Sequence, residues 1–274
     1  MTPIYVILPT FNRVEWLKES LASILTDPNV IVIVLNNGSS DGTREYLDGL
    51  SDARVQVHHW DKNDIAMFPW LMAQIPDDEG FACIFSDDDR MLLGGLDAKR
   101  KVLEANPEIG LVFSRVRVIH SDGQDGGVSP MGHIADWNLV GDAFDFESEI
   151  CGNYIPGQSA LFRVKDFRPL FHWFDWKDFG PCSDWQVWLD AAHHGIKGAY
   201  LVEPTVSLRD HVGQESARCS TSDAYTQAHL NVWRYWFGAG FKPSPGVFQK
   251  IANMACNVAF THVCRALLPY QPEA

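Results

Sequence analysis

Three consecutive aspartates stand out in the stretch Phe81–Met91, which reads FACIFSDDDRM. Asp87, Asp88 and Asp89 directly follow an apolar run of the kind that forms a buried β-strand. Adjacent carboxylates repel one another, so a compensating cation is expected near them. Two interpretations are open: a solvated loop in which Asp89 caps the next helix, or a site where the carboxylates bind a divalent metal ion.

The elements that would position these carboxylates follow from the apolar patterns of the first 120 residues. Short apolar runs predict strands at 4–8, 30–35, 54–60, 81–85 and 110–119, and amphipathic segments predict helices at 15–25, 43–50 and 96–106. This alternation indicates an α/β fold with a mostly parallel central sheet flanked by helices. Ligands bind at the carboxyl ends of such strands, where the aspartates lie, and this favours the metal site.

The second half of the chain has a different pattern. A segment rich in Gly and Asp, residues 121–145, indicates a loop, and a strand is predicted around 159–164. Ser183 is the predicted N-cap of a helix that buries Trp185 and Trp188. Two further helices are predicted after Ser220, so residues 216–274 are expected to form a C-terminal helical appendage to a domain of residues 1–215.

Composition excludes several classes of function. The 274 residues carry a net charge of -13, which disfavours nucleic acid as a partner because phosphate neutralisation needs a basic surface. The six cysteines have no zinc-type spacing. There is no signal-peptide pattern and no transmembrane run of about 18 apolar residues, so we expect a reduced, cytoplasmic protein, with peripheral attachment to a membrane as the lesser option.

Short motifs of other enzyme classes are absent or unsupported. Gly38, Ser40 and Gly42 match the GxSxG pattern of serine hydrolases, but short matches are frequent in Gly/Ser loops and no oxyanion segment accompanies this one. The sequence has neither the GxGxxG pattern of dinucleotide sites nor a Walker-type phosphate loop. The aspartate cluster also lacks the turn glycine of an EF-hand.

A resemblance that covers much more of the chain comes from six segments in register between Val6 and Ser216. They read VILPTFNR, VIVLNNGSSDGT, IFSDDDRMLLGGL, NYIPGQSALFR, SDWQVWLDAAHHG and LRDHVGQES. Their order and spacing resemble those of a GT-A fold glycosyltransferase of family 2. One such motif would carry little weight, whereas six in order carry much more.

The resemblance implies inverting transfer of a sugar from a nucleotide-diphosphate donor, UDP-, dTDP- or GDP-linked, to a hydroxyl of a glycan or lipid-linked acceptor. It also implies a divalent cofactor, Mn²⁺ or Mg²⁺, which agrees with the preference of these ions for carboxylate oxygen. Residues 1–120 would then hold the nucleotide sugar, and residues 121–215 would supply the acceptor side and the catalytic base.

The metal and donor residues are carried over from matching positions. The DXD motif is either Ser86-Asp87-Asp88 or Asp87-Asp88-Asp89, and the first register is favoured. It makes Asp88 the metal ligand and Asp87 a donor contact, with Asp89 as an additional candidate ligand. His211 matches a histidine found near the metal or the phosphates in the family, although a lone histidine is as often structural.

The remaining donor contacts come from two loops. The predicted donor-binding residues are Pro9, Thr10, Phe11, Asn12, Arg13, Asn36 and Asp41. Phe11 replaces the usual Tyr, and Asn36 replaces an Asp that contacts the base, which leaves the base open. For Asp41, an ordinary turn role is at least as well supported.

An arginine usual in the family appears here as Trp70, so its contact with the diphosphate must be missing or come from elsewhere, with Arg90 and Arg209 as the candidates.

Asp184 is the predicted catalytic base. The acidic pair of the family appears as Ser183-Asp184, so only one carboxylate remains to deprotonate the acceptor. At a helix N-terminus the partial positive charge favours the ionised form, as a base requires. Two alternatives remain: a sugar-nucleotide-binding protein without turnover, and a sugar nucleotidyltransferase, which would need a basic Gly-rich loop after the first strand.

The C-terminal segment Gly246–Leu268 has a wide apolar face at helical spacing. Such a face has to be covered. We expect it to pack on the catalytic domain or on a second subunit, which would give a homo-oligomer; a lipid surface is less favoured because basic residues are few.

Overall fold

The computed structural model describes residues 1–76, 78–130, 132–171, 176–211 and 223–267. The strands are β1 Ile4–Thr10, β2 Val30–Asn37, β3 Val55–Trp60, β4 Phe81–Ile84, β5 Arg90–Met91, β6 Ile109–His120, β7 Asp125–Val128, β8 Leu139–Gly141, β9 Leu161–Arg163 and β10 Lys197–Asp210. The helices are α1 Val14–Ile24, α2 Thr43–Asp48, α3 Met67–Ala73, α4 Gly95–Ala105, α5 Phe146–Glu149, α6 Val164–Phe167, α7 Trp176–Phe179, α8 Ser183–His193, α9 Asp223–Gly238 and α10 Pro245–Leu267. Short 3₁₀ turns lie at Gly157–Ser159, Arg168–Phe171 and Gly180–Cys182.

All of these strands belong to one sheet, in the order β3-β2-β1-β4-β9-β6-β10-β5, with β7 on β6 and β8 on β10. The strands β3, β2, β1 and β4 run parallel, as the βαβ pattern predicts. The short strand β9 is antiparallel to both of its neighbours, whereas β10 runs parallel to β6. This order brings the end of β10 close to the end of β4.

Two apolar layers enclose the sheet. One side is covered by α1 and α4, through residues such as Leu17, Leu21 and Leu103. The other side is covered by α3, α6 and α8, with Trp188 among the buried residues. Strands β1 and β2 are buried on both faces, which accounts for their unbroken β-branched sequences. The mixed α/β architecture agrees with the predicted fold class.

A third core joins the C-terminal helices to the domain. Trp185 of α8 and Trp233 of α9 lie in it with Val247 and Ile251 of α10. The indole N–H of Trp185 donates to the Glu149 carbonyl at 2.8 Å, and that of Trp233 donates to the Ile150 carbonyl at 3.0 Å, so both buried polar groups are satisfied. Within the described residues, the apolar face of α10 therefore packs on the domain, the first of the two expected coverings.

Some boundaries differ from the sequence predictions. The 14-residue strand β10 has no counterpart among the predicted elements. Helix α8 begins at Ser183 itself, directly after the 3₁₀ turn at Gly180–Cys182, so Cys182 and not Ser183 holds the N-cap position. The predicted boundary at 215/216 lies outside the described residues. None of the helices in the described ranges is long and apolar enough to cross a membrane.

The third core predicts that two substitutions in α10 have different effects on stability. Ile251 is 4% exposed, so Ile251→Ala should lower the free energy of unfolding by about 2–4 kcal/mol through lost burial and a residual cavity. Phe248 lies three residues earlier and is 57% exposed, so Phe248→Ala should change it by less than about 0.5 kcal/mol. Urea unfolding followed by tryptophan fluorescence measures both. Equal losses in the two variants would contradict the packing of α10.

Candidate active site

The three aspartates lie where β4 ends, and all three are buried. Asp87, Asp88 and Asp89 are 3%, 5% and 3% exposed. The solvated-loop interpretation is therefore wrong for this cluster. Buried carboxylates have to be compensated by cations or N–H donors, because their desolvation costs several kcal/mol each.

Arg13 compensates two of the carboxylates at once. Its Nη1 atom lies 3.0 Å from Asp87 Oδ1 and 2.9 Å from Asp88 Oδ2. The backbone N–H of Phe11 also donates to Asp87 Oδ2 at 3.2 Å. The loop between β1 and α1 is therefore joined to the end of β4 through the predicted donor residues Phe11, Arg13 and Asp87.

His211 contacts the same carboxylate from the opposite end of the chain. Its Nε2 atom lies 3.0 Å from Asp88 Oδ2, and its ring packs on that of Trp16 at a centroid distance of 4.3 Å. The structure thus brings together Asp88 and His211, the two residues predicted to bind the metal.

Asp89 has a different environment from its neighbours. Its Oδ1 accepts a hydrogen bond from the backbone N–H of Arg209 at 2.8 Å, which ties the aspartate loop to β10. Burial, together with the charge of Asp88, raises the pKa of Asp89 well above its usual range. The contact with the β10 backbone gives Asp89 a structural role, in addition to its candidate role as a metal ligand.

Both candidates for the missing arginine are engaged with other groups of the chain. Arg209 is 1% exposed and uses its guanidinium on the Asp88 carbonyl, at 2.8 Å, and on Glu19, at 2.6 Å. Arg90 also pairs with Glu19. Arg13 is the arginine that contacts the carboxylates of Asp87 and Asp88.

The loops after β1 and β2 hold each other in place. Asn12 has a left-handed backbone, with a φ of 54°, a conformation that Asn tolerates better than most residues. Its N–H donates to Ser39 Oγ at 2.9 Å, and its Oδ1 accepts from the N–H of Ser40 at 2.7 Å. Ser40 is thus part of the contact between the loops after β1 and β2.

The four other predicted donor residues lie in or beside the same loops. Thr10, the last residue of β1, is buried, and Pro9 pairs with Leu35 in the sheet register. Phe11 is 39% exposed, so its ring is accessible at the site. Asn36 is 1% exposed, its Oδ1 accepts from the Ser39 N–H at 2.9 Å, and its Nδ2 lies 3.2 Å from His59 Nδ1.

Asp41 supports the fold directly. Its Oδ2 accepts from the N–H of Val14 at 3.0 Å, which is the first residue of α1, and its Oδ1 accepts from Thr43 Oγ1 at 2.6 Å. The carboxylate therefore caps α1, whose own N-cap residue makes no side-chain bond. These hydrogen bonds support the interpretation of Asp41 as an ordinary turn residue.

Trp70 stands where an arginine was expected, and its surroundings are aromatic. Its ring lies edge-on to Trp60 at 5.5 Å and to His58 at 5.1 Å. Asn63 accepts a hydrogen bond from Asn37 Nδ2 at 2.8 Å. These contacts give Trp70 and Asn63 packing roles at the ends of β2 and β3.

Asp184 lies in the first turn of α8, as predicted. Its Oδ1 accepts from the N–H of Trp185 at 2.7 Å, and its Oδ2 accepts from Asn153 Nδ2 at 3.2 Å. Burial raises its pKa to about 6, although both hydrogen bonds favour the ionised form. We expected the helix terminus to determine the ionisation of Asp184, but burial has the larger effect on its pKa. The carboxylate is still mostly ionised at neutral pH.

A short turn connects Asp184 with the aspartate cluster. A Cβ atom added at Gly157 would lie 3.3 Å from Asp184 Oδ2, so this glycine lies directly against the carboxylate. The next residue, Gln158, donates to Ser86 Oγ at 2.9 Å, and Ser86 immediately precedes Asp87. This turn therefore contacts both Asp184 and the residue that precedes the aspartate cluster.

The sequence predictions missed Asn153, Gly157 and Gln158. They lie in the segment GNYIPGQS, whose residue types are ordinary for a loop. They act through a turn that packs between α8 and β4, so no local pattern distinguishes them.

The donor set fits a hard divalent cation in part. Among the described residues, no three or more His, Cys, Asp or Glu side chains are grouped so that they could hold a metal by themselves. Mg²⁺ and Mn²⁺, however, are commonly held by one or two protein ligands together with substrate phosphates and water. Asp88 with His211, next to Asp87, matches that smaller protein contribution.

Comparisons with known proteins bear on the fold and on the first part of the sequence. A family model described as "Glycosyl transferase family 2" matches residues 5–69, which include the loops after β1 and β2. No curated protein matches the chain in sequence.

Solved structures of similar fold include that of S. aureus TarS 1-349 in complex with UDP. It has a TM-score of 0.68 and 12% identity, covering 98% of this chain and 76% of that chain. The complex of the same protein with UDP-GlcNAc has a TM-score of 0.66 and 14% identity, covering 94% and 73%.

The mannosyltransferase PcManGT from Pyrobaculum calidifontis, in complex with GDP-Man and Mn²⁺, has a TM-score of 0.60 and 16% identity, covering 99% of this chain and 76% of that chain. At these identities the structures establish the GT-A fold. The family match over residues 5–69 and the GT-A fold both agree with the resemblance to family 2 glycosyltransferases that the sequence motifs carry.

Proposed function

We propose that the chain is a metal-dependent, inverting glycosyltransferase that uses a nucleotide-diphosphate sugar and Asp184 as its base. The observation that carries the proposal is the link between Asp184, the Gly157–Gln158 turn and Ser86, which sets one ionisable carboxylate beside the Asp87-Asp88 loop. Binding alone needs no such base, which argues against a protein that holds the donor without turnover.

The reaction follows from this arrangement. Asp184 accepts the proton of the acceptor hydroxyl as that oxygen attacks the anomeric carbon from the side opposite the nucleotide. The bond between the anomeric carbon and the diphosphate oxygen breaks, the nucleoside diphosphate leaves, and the configuration inverts. A divalent ion, when bound by Asp88 and His211, supplies charge neutralisation for the diphosphate.

The donor class is supported by the solved relatives. TarS binds UDP and UDP-GlcNAc, and the mannosyltransferase binds GDP-Man with Mn²⁺. We propose a nucleotide-linked hexose or related sugar as the donor and a glycan or lipid-linked hydroxyl as the acceptor, in a cytoplasmic setting.

The metal assignment predicts a selective loss of binding. Asp88→Asn removes a carboxylate oxygen from the ion and should weaken Mn²⁺-dependent binding of UDP or GDP about tenfold or more, roughly 1.4 kcal/mol, with the fold intact. Isothermal calorimetry with and without Mn²⁺ measures this. Asp61→Asn is the matched control, since that side chain is 98% exposed. Unchanged binding by Asp88→Asn would refute the metal role.

The base assignment predicts a loss of turnover with donor binding preserved. Asp184→Asn should lower kcat by roughly 10²–10⁴. The raised pKa of Asp184, to about 6, predicts that wild-type kcat/KM falls as pH drops below about 6 and is level above it. Initial rates between pH 5 and pH 8 check both points. Near-normal turnover, or a product of retained configuration, would contradict the assignment.

The same pKa shift predicts a gain in stability from this substitution. Folding raises the pKa of Asp184, so the carboxyl contributes stability below about pH 4 that is lost as pH rises through about 6. Asp184→Asn has no ionisable group at this position, so its stability does not fall in this way as pH rises. The variant should be more stable than wild type by about 1–2 kcal/mol at pH 8, with no gain at pH 4.

Urea unfolding at the two pH values measures the effect, and Asp41→Asn is the control of opposite sign. Folding lowers the pKa of Asp41, so that carboxylate stabilises the fold at pH 8, and its loss should be destabilising there. If burial does not raise the pKa of Asp184, Asp184→Asn will show no gain at pH 8.

A further inference from the structure

Helix α4 carries a lysine whose side chain lies inside the protein. Lys99 is 0% exposed, and its Nζ atom donates to the Ser159 carbonyl at 3.0 Å. Burial lowers the pKa of this ammonium to about 8, so it is still mostly charged at neutral pH. A buried charge is costly, and the proposed reaction does not use this one directly. Its contact with Ser159 is the feature that connects it with the site.

The carbonyl that Lys99 contacts closes the 3₁₀ turn Gly157–Ser159. The first residue of that turn, Gly157, lies against Asp184, because a Cβ atom added there would be 3.3 Å from Asp184 Oδ2. The same oxygen accepts a hydrogen bond from Asn153 Nδ2 at 3.2 Å. The space around Asp184 Oδ2 is therefore set in part by the position of this turn.

The lysine links the two sides of the sheet. Helix α4 covers one side, and helix α8, which carries Asp184, covers the other. The turn has neutral hydrogen bonds of its own, from Ser159 Oγ to the Pro156 carbonyl at 2.8 Å and from the Ser114 N–H to Ser159 Oγ at 3.4 Å. The bond from Lys99 is charge-assisted, and such bonds are roughly twice as strong as neutral ones. Lys99 is therefore the strongest anchor among these contacts of the turn.

We infer that Lys99 is a positioning residue for Asp184: its ammonium holds the Gly157–Ser159 turn against the carboxylate that takes the acceptor proton. The inference rests on the proposed function, in which Asp184 is the base, and adds to it a residue that does not touch substrate. The efficiency of a general base depends on its geometry, and a displacement of about 1 Å can cost as much as 10²-fold in rate. Without the anchor, the turn and the carboxylate shift together.

The loss of this anchor affects turnover more than donor binding. Gln158 of the turn also donates to Ser86, but the two aspartates that follow Ser86 have contacts with Arg13 and His211. Binding of metal and nucleotide therefore depends much less on Lys99 than the position of the base does.

The test compares turnover with nucleotide binding in Lys99→Met, which keeps an unbranched side chain and removes its ammonium. Turnover is the release of UDP from UDP-GlcNAc, or of GDP from GDP-Man, in the presence of Mn²⁺ and with water in place of the acceptor hydroxyl. Lys99→Met should lower kcat about tenfold or more. The dissociation constant of UDP or GDP with Mn²⁺, measured by calorimetry, should stay within about twofold of the wild-type value.

A double-mutant cycle with Asp184→Asn tests the route of the effect. If Lys99 acts through Asp184, Lys99→Met should change the remaining rate of Asp184→Asn by less than about twofold. A further loss of about tenfold in the Asp184→Asn background would mean that Lys99 acts by another route, and would overturn the inference.

Lys101→Met is the matched control, because it makes the same substitution in the same helix at a side chain that is 73% exposed. It should leave turnover and nucleotide binding unchanged. Urea unfolding verifies that each variant is folded, and Lys99→Met should keep most of the wild-type stability, because removal of the buried charge offsets the lost hydrogen bond. Lys99→Gln retains an N–H donor and should have a kcat between those of wild type and Lys99→Met. Failure of both Lys99 variants to fold would mean a structural role and would overturn the inference.

The outcomes separate the inference from the proposed function. Loss of turnover in Asp184→Asn, beside a near-normal rate in Lys99→Met, overturns the inference and leaves the base assignment standing. Equal losses of kcat and of nucleotide binding in Lys99→Met also contradict a role that acts through Asp184. A near-normal rate in Asp184→Asn, or no nucleotide release by wild type from either donor, overturns both the inference and the proposed function.

Discussion

Burial of three adjacent carboxylates at the end of β4 is the constraint on which the site depends. Their charges require partners, and these come from distant parts of the chain: Arg13 from the loop before α1, and His211 and the Arg209 N–H from the end of β10. Strand β10 therefore does more than complete the sheet, because Arg209 in it and His211 just after it contact carboxylates more than 100 positions earlier. The contacts that compensate the buried carboxylates are therefore also contacts that join distant parts of the fold.

The sequence predicts the parts of the molecule that are encoded locally. Unbroken apolar runs predict β1, β2 and β4, and crowded charge indicates the aspartate loop. Strand β10 escapes detection because Glu203 and Pro204 interrupt it, at the point where its pairing with β6 shifts register. Arg13 is found as a donor residue, but its pairing with carboxylates 74 and 75 positions away depends on the β1-β4 register, which no local pattern encodes.

Residue type at a matching position is an incomplete guide to role. Asp41 and Asn36 both occupy positions expected to contact the donor, yet the polar atoms of each are already bound to neighbouring groups of the chain. Those bonds, with the Asn12 contacts to Ser39 and Ser40, join the loops after β1 and β2 into one rigid surface. Such preorganisation lowers the entropy that ordering the loops on a ligand would otherwise cost.

Electrostatics explains why the site retains charges that destabilise the fold. Burial raises the pKa of both Asp87 and Asp184 to about 6, against hydrogen bonds that favour ionisation. Each carboxylate is therefore ionised at neutral pH, but only just, and each gains from a cation that arrives during the proposed reaction. In the proposed reaction, the cation is the acceptor proton for Asp184 and a divalent ion for the aspartate loop. A group whose charge is costly in the resting protein is well suited to bind charge when substrate is present.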